Sequence, residues 1–135
     1  GNNVANVLYA SFKKLALDGD IDLLNDTIKA ALIDTNDVSF SAGHDNYDDI
    51  SAAVVGTPVA LSSKTTTAGT FDSADPTWSA VTGDVCEAMV LYKDTGTAST
   101  SSLIAWYDTG VTGLPVTPNG GDITVTVNPS GWFSL

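Results

Sequence analysis

The segments "CEAMVLYKD", "SLIAWYDTG" and "DITVTV" do most to restrict what this chain can fold into. In the first, Cys86, Ala88, Val90 and Tyr92 fall on one face, opposite Glu87, Met89 and Leu91. In the second, Leu103, Ala105 and Tyr107 oppose Ile104, Trp106 and Asp108. A period of two is the period of a strand. In the third, Ile123, Val125 and Val127 oppose Thr124 and Thr126, the pattern of an antiparallel strand with one face buried. "KDTGTASTSS" has the composition of a hairpin loop, so the first two segments are expected to pair. "GVTGLPVTPNGG" is a longer Gly/Pro-rich connection. The closing "SGWFSL" is too apolar for a free tail and is expected to pack or pair.

The first half is more mixed. "NVLYASFKKLAL" places Val7, Leu8, Ser11, Phe12, Leu15 and Ala16 at helical spacing, with Lys13 and Lys14 near the end that favours cations and Gly19 as a stop. A helix from about Val7 to Leu17 is predicted. "TIKAALIDT" reads as a strand from Thr27 to Asp34, because Thr and Ile outweigh the alanines. Residues 36–51 form a polar stretch read as a long surface loop. Short strands are expected at Thr57–Lys64 and Thr77–Ala80, separated by turns. The fold class is mainly β: an antiparallel β-sandwich or barrel-like domain with one short N-terminal helix. At 135 residues the chain fits one domain. An N-terminal arm and helix over about 1–17 would lead into a β-rich body over about 27–135.

Charge narrows the partners. Sixteen acidic residues face five basic ones, all lysine, for a formal net charge of −11. Nucleic-acid affinity rests on Lys and Arg contacts to phosphate, so DNA, RNA and anionic membrane surfaces are disfavoured. The same charge keeps free copies apart, so self-association would rest on apolar or strand-edge contacts. With 43% hydrophobic residues the chain can build a core. One cysteine, Cys86, rules out an internal disulfide and suits a reducing compartment. No apolar run approaches the ~18–20 residues of a membrane span. The polar start "GNNVANVLY" does not read as a secretory signal.

Candidate chemistry centres on "LDGDIDLLNDTIKAALIDTND", with six aspartates between Leu17 and Asp37. Asp18, Asp20 and Asp22 resemble the first ligands of a calcium loop. A helix-loop-helix calcium site also needs glycine at position 6 and glutamate at position 12. Here Leu23 and Lys29 occupy those places. A weak calcium site at Asp18, Asp20 and Asp22 is set against a helix stop followed by a capped acidic turn, and the turn is favoured. A catalytic carboxylate pair needs one buried, raised acid, whereas these aspartates, Asp48–Asp49 and Asp72–Asp75 sit among polar residues. His44 stands alone in "SAGHDNYDD" without a nucleophile elbow. One His and one Cys give poor support for zinc. Cys86 within an alternating strand reads as a small buried hydrophobe. "NGGD" at Asn119–Asp122 occurs once and reads as a turn, and no phosphate-binding glycine motif is present. Asn25–Asp26–Thr27 fits a glycosylation acceptor, which has meaning only in a secretory pathway. No catalytic residue and no cofactor is expected. Trp78, Trp106 and Trp132 suit core and interface packing.

The order of segments carries a further signal. "DGDIDLLNDTIKAALIDT" is followed by "FDSADPTWSAVTGD", "AMVLYKDTGTASTSSLIAWYD", "GGDITVTV" and "GWFSL". This order resembles a family of small virion structural proteins of tailed bacteriophages, with "VLYKDTG" and "GWFSL" the better-fitting segments and Pro76 interrupting "ADPTWS". The resemblance spans nearly the whole chain and rests on structural motifs. It implies a non-enzymatic capsid decoration (cement) or tail-associated protein, assembled in the host cytoplasm and located in the virion. Its partners would be the major capsid protein or other virion proteins, in a homo-oligomer or many symmetric copies. The apolar termini are the expected contacts: Val4, Val7, Tyr9, Phe12, Trp132, Phe133 and Leu135. The alternative reading is a fibre- or adhesin-type carbohydrate-binding β-sandwich, which would require exposed Trp78 or Trp106.

Overall fold

The computed structural model describes residues 6–135. Its centre is a five-stranded, wholly antiparallel sheet in the order β1-β7-β6-β2-β3. These strands are β1 (Val7–Leu8), β2 (Ile28–Ile33), β3 (Val54–Ala60), β6 (Ala88–Lys93) and β7 (Leu103–Tyr107). Two small ribbons complete the β structure, β4 (Thr70–Phe71) with β9 (Phe133–Ser134) and β5 (Thr77–Trp78) with β8 (Ile123–Thr124). Among the described residues the single α-helix, α1, spans Ala10–Leu17. The chain is mainly β, as its alternation predicts.

The alternation in β6 and β7 does not mark one wet face. Ala88 to Tyr92 and Leu103 to Tyr107 are all buried, as are Ala30 to Ile33 in β2. Central strands covered on both faces need apolar residues at every position. The helix packs on β7 and the β5 segment on β3, and the indole of Trp78 donates to the Ala30 carbonyl at 3.1 Å. Burying the apolar side chains of this core supplies roughly 1.5–3 kcal/mol for each large one.

Several boundaries move. The predicted helix starts later, because Val7 and Leu8 pair with Trp106 and Ala105 of β7 and Tyr9 N–H continues the ladder to the Ile104 carbonyl. Val7 and Leu8 therefore form an edge strand of the sheet, and the helix follows from Ala10. Gly19, at φ +79°, ends the helix. Asp20 N–H reaches the Leu15 carbonyl and Gly19 N–H the Ala16 carbonyl, the paired bonds of a Schellman stop. The strand expected at Thr57–Lys64 lies at Val54–Ala60 instead. Gly56 and Pro58 look like turn residues, yet on an edge strand they sit at an irregular pairing that blocks further strand addition. "DITVTV" keeps its predicted faces, with Ile123 and Val125 buried and Thr124 and Thr126 exposed, but only Ile123–Thr124 joins a ladder. Beyond it, Val125 N–H bonds to the Pro76 carbonyl and Thr126 N–H to that of Thr112. The 36–51 stretch is not wholly surface: Ile50 is fully buried, and Phe40 stacks between Tyr9 and Trp106.

The sheet has two distinct ends. At one, Ile28 faces Lys93 and Lys29 faces Ala60. At the other, Ile33 faces both Ala88 and Val54, and β7 finishes at Tyr107.

Candidate functional site

Residues 6–12 and the C-terminal segment 132–135 come together beside β7. The Asn6 carboxamide oxygen accepts from the N–H groups of Asp108 at 2.9 Å and Thr109 at 3.1 Å, and its amide donates to the Thr109 carbonyl. Phe12 of α1 meets Phe133 edge-on with centroids 5.5 Å apart, and Phe133 tilts against Phe71 at 5.6 Å. Trp132 packs on Tyr107 at 5.5 Å. The Tyr107 hydroxyl donates to the Trp132 carbonyl at 2.8 Å, and the Trp132 indole donates to Ser73 Oγ at 2.8 Å. Trp132 N–H bonds to the Phe71 carbonyl at 2.7 Å and Leu135 N–H to that of Gly69 at 3.0 Å. Between Asn6, Tyr107, Val111, Thr126 and Trp132 runs a groove of about 460 Å³.

This geometry sorts the residues expected to make contacts. Tyr9, Phe12 and Trp132 are buried in the core of the subunit, so their rings hold the ends together rather than facing outward. Val7 and Phe133 are half-buried, and Leu135 is 72% exposed. Val4 lies outside the described residues. Trp78 and Trp106 are each 1% exposed, so the tryptophan platform that the adhesin reading requires is not on the surface.

The aspartate-rich turn resolves into structure. Asp18 pairs with Lys14 one helical turn earlier. Asp22 caps its own turn, accepting from Leu24 N–H at 3.0 Å, Asn25 N–H at 3.1 Å and the Asn25 amide at 2.8 Å. These bonds hold the Asp22 carboxyl below its ordinary value, the Asn25 side chain contributing most. Lys93 then ties the turn to the sheet, reaching the Asp20 carbonyl at 3.1 Å and the Asp26 carboxylate at 3.1 Å, while Lys64 donates to the Asp26 carbonyl. Asp18, Asp20 and Asp22 do not converge as a ligand set. The one grouping of three carboxylates close enough to share a cation, among the described residues, is Asp34, Asp37 and Asp84 at the opposite end of the sheet. Asp34 is buried and accepts from Asn36 N–H at 2.9 Å. Sequence reading missed this group because its members come together only when β2 and the turn before β6 are aligned.

Cys86 is fully buried and bridges to Val116, and burial pushes its thiol up to about 11. That removes the thiolate at neutral pH and with it nucleophilic character. His44 Nδ1 is enclosed with no hydrogen-bond partner among the described residues.

Fold and site together define a small, acidic, mainly-β protein whose chain ends are joined in one aromatic cluster. No protein-family model matches the chain, and no curated protein matches it significantly.

Proposed function

We propose that the chain is a non-enzymatic virion structural protein, a capsid decoration protein that binds and stabilises a phage shell in many symmetric copies. The observation that carries this reading is the meeting of residues 6–12 with the C-terminal segment 132–135. Of the residues expected to make contacts, Val7 and Phe133 are half-buried and Leu135 is exposed, and residues 132–134 line a groove that Asn6 also lines. The order of segments from "DGDIDLLNDTIKAALIDT" to "GWFSL" supports the same class. A lattice multiplies a weak contact through many copies, so a modest surface suffices. A charge of −11 keeps the free subunit dispersed before assembly.

Two measurements test the proposal. A mass-spectrometric inventory of the purified virion gives copy number: hundreds of copies are expected, and a handful would indicate a fibre or baseplate part instead. Co-sedimentation with shells stripped of the protein then locates the contact. Leu135→Asp should weaken binding, whereas Leu17→Asp, at an exposed helix end, should not. Unchanged binding of the Leu135 variant would remove the chain-end surface as the contact.

A further inference from the structure

At the Ile28–Lys93 end lies a second concavity, an open cleft of about 260 Å³ lined by Lys29, Tyr47, Thr57, Tyr92, Asp94 and Ser101 among others. Tyr92 and Asp94 belong to the "VLYKDTG" segment. Tyr92 comes from central strand β6, and its ring stacks on Tyr47 with centroids 4.6 Å apart and planes tilted by 32°. Tyr47 is held firmly from behind: its N–H bonds to the Ser101 carbonyl at 2.8 Å, and Asn46 and Asp49 cap the short turn that carries it. Lys29 Nζ and Asp94 Oδ2 are paired at 2.8 Å. Asp94 is fixed again by Gly96 N–H at 2.9 Å.

The chemistry of this cleft is specific. A half-exposed aromatic ring sits beside an ion pair whose charges cancel. Neither tyrosine hydroxyl bonds to a protein group among the described residues, so both remain available to a guest. Such a site offers an anion little, since Lys29 is already matched and the surroundings are acidic. It also offers little to a purely apolar ligand, which would strand the polar groups. A neutral polyhydroxylated ring fits, having a C–H face for the aromatic surface and hydroxyls for Asp94, Lys29 and the phenols. Sites built around hydroxyl recognition discriminate strongly, because a missing hydroxyl leaves a buried polar group unpaired. The volume falls below the ~300–1,000 Å³ of drug-sized pockets, which limits the guest to one ring. We propose that this cleft binds a single neutral sugar ring of a glycan, stacked on Tyr47 and hydrogen-bonded by Asp94, Lys29 and the Tyr92 hydroxyl. The rigid backing of both rings means that little ordering accompanies binding. This proposal is independent of the shell-binding role, which rests on the C-terminal segment and the groove beside it.

Amide chemical-shift titration of the full chain with D-glucose, D-galactose, D-mannose and N-acetyl-D-glucosamine, followed by a neutral glycan array, tests it. At least one sugar should shift the amides of Tyr47, Asp94, Gly96 and Ser101 with a dissociation constant on the order of 1–10 mM. Tyr47→Ala should weaken binding about tenfold or more. Tyr47→Phe keeps the ring and should cost less, Asp94→Asn should weaken binding, and Thr126→Ala in the distant groove should change nothing. Absence of any shift at these amides, together with a blank array, would overturn the proposal. So would undiminished binding by Tyr47→Ala with an otherwise native spectrum. Should Tyr47→Ala fail to fold, unchanged affinity in both Tyr47→Phe and Asp94→Asn would overturn it equally.

Discussion

The aromatic cluster around the C-terminal segment and the Ile28–Lys93 end of the sheet are built by different physics. The cluster that holds the C-terminal segment is closed by rings: Phe12 and Phe71 meet Phe133, Tyr107 meets Trp132, and Tyr107, Trp132 and Ser73 are linked by hydrogen bonds between neutral groups. The Ile28–Lys93 end is closed by charge: Lys29, Lys64 and Lys93 each reach an aspartate carboxylate or carbonyl. Three of the chain's five basic residues are spent there, while Asp34, Asp37 and Asp84 face one another at the other end of the sheet with no ion-pair partner among the described residues. Aromatic closure is strong and insensitive to salt, whereas partly exposed ion pairs are weak and screened. The first should therefore carry the stability of the fold, and the second should set the position of a turn.

The largest effect is expected from Trp132→Ala. It removes a ring that is only 7% exposed, the contact with Tyr107 and the bond to Ser73. A cost of about 3–5 kcal/mol follows from comparable core truncations, measured by urea unfolding. A loss below ~1 kcal/mol would mean that the chain ends are not joined as described.

Next in size is a paired glycine test, one in each region. Gly131 and Gly96 have nearly equal positive φ, +88° and +86°. A Cβ at Gly131 would lie 2.7 Å from Thr70 Cγ2 and 2.8 Å from the Phe71 carbonyl oxygen, whereas at Gly96 it would meet nothing within 4 Å. Gly96→Ala should cost only the left-handed backbone strain, about 1–2 kcal/mol. Gly131→Ala adds a clash with backbone and should cost more. Equal losses would show that the terminal ribbon yields freely and is not tightly packed.

These contrasts also show which parts of the molecule were legible in the sequence. The β6–β7 hairpin, the β2 strand and the glycine stop after α1 were readable because each is local: alternation, loop composition and one left-handed residue settle them. Val7 and Leu8 were misread as helix because their spacing satisfies both periods, and only pairing with β7 decides the matter. Burial of Trp78 and Trp106 was open for a similar reason, since an aromatic in a strand shows its depth only once neighbouring layers are in place. The closing "SGWFSL" packs and pairs, as its composition predicts. Tyr9, Phe12 and Trp132 nevertheless turn inward, because a two-residue strand must be pinned by rings if it is to stay paired. The Tyr47–Tyr92 cleft was not visible in the sequence, as its members are separated by more than a strand and a loop.

The charged end predicts smaller, salt-dependent effects. Lys93→Met removes the pairing with Asp26 and the bond to the Asp20 carbonyl, both partly exposed. A loss of about 0.5–1 kcal/mol is expected at low salt, shrinking in 1 M salt as screening shortens to ~3 Å. Asp94 provides the pH counterpart. The hydrogen bond from Lys29, its largest influence, holds the Asp94 carboxyl below its ordinary value. A depressed folded-state value stabilises above the unfolded value of ~3.9 and is lost as pH falls through the folded one. Acid titration of stability should therefore show a loss below that range in the native chain and a smaller one in Asp94→Asn. A Lys93→Met loss as large at high salt as at low would contradict an electrostatic closure of this end.

The smallest effect has the opposite sign and bears on the uncompensated carboxylates. Asp34, Asp37 and Asp84 bring oxygens within 4.8 Å of one another with no lysine paired to any of them. Like charges at such range repel, and neutralising an exposed member relieves the repulsion without breaking a bond the fold needs. Asp37→Asn and Asp84→Asn should each raise stability by about 0.2–0.5 kcal/mol at low salt, the size of a typical exposed pair interaction. Asp34 is excluded from the pair of variants because its carboxylate also accepts from Asn36 N–H. The stabilisation should vanish in 1 M salt, where the repulsion is screened in the native chain as well. If calcium at millimolar concentration raised the melting temperature of the native chain but not of the variants, the three carboxylates would be a cation site instead of a charge left unmatched.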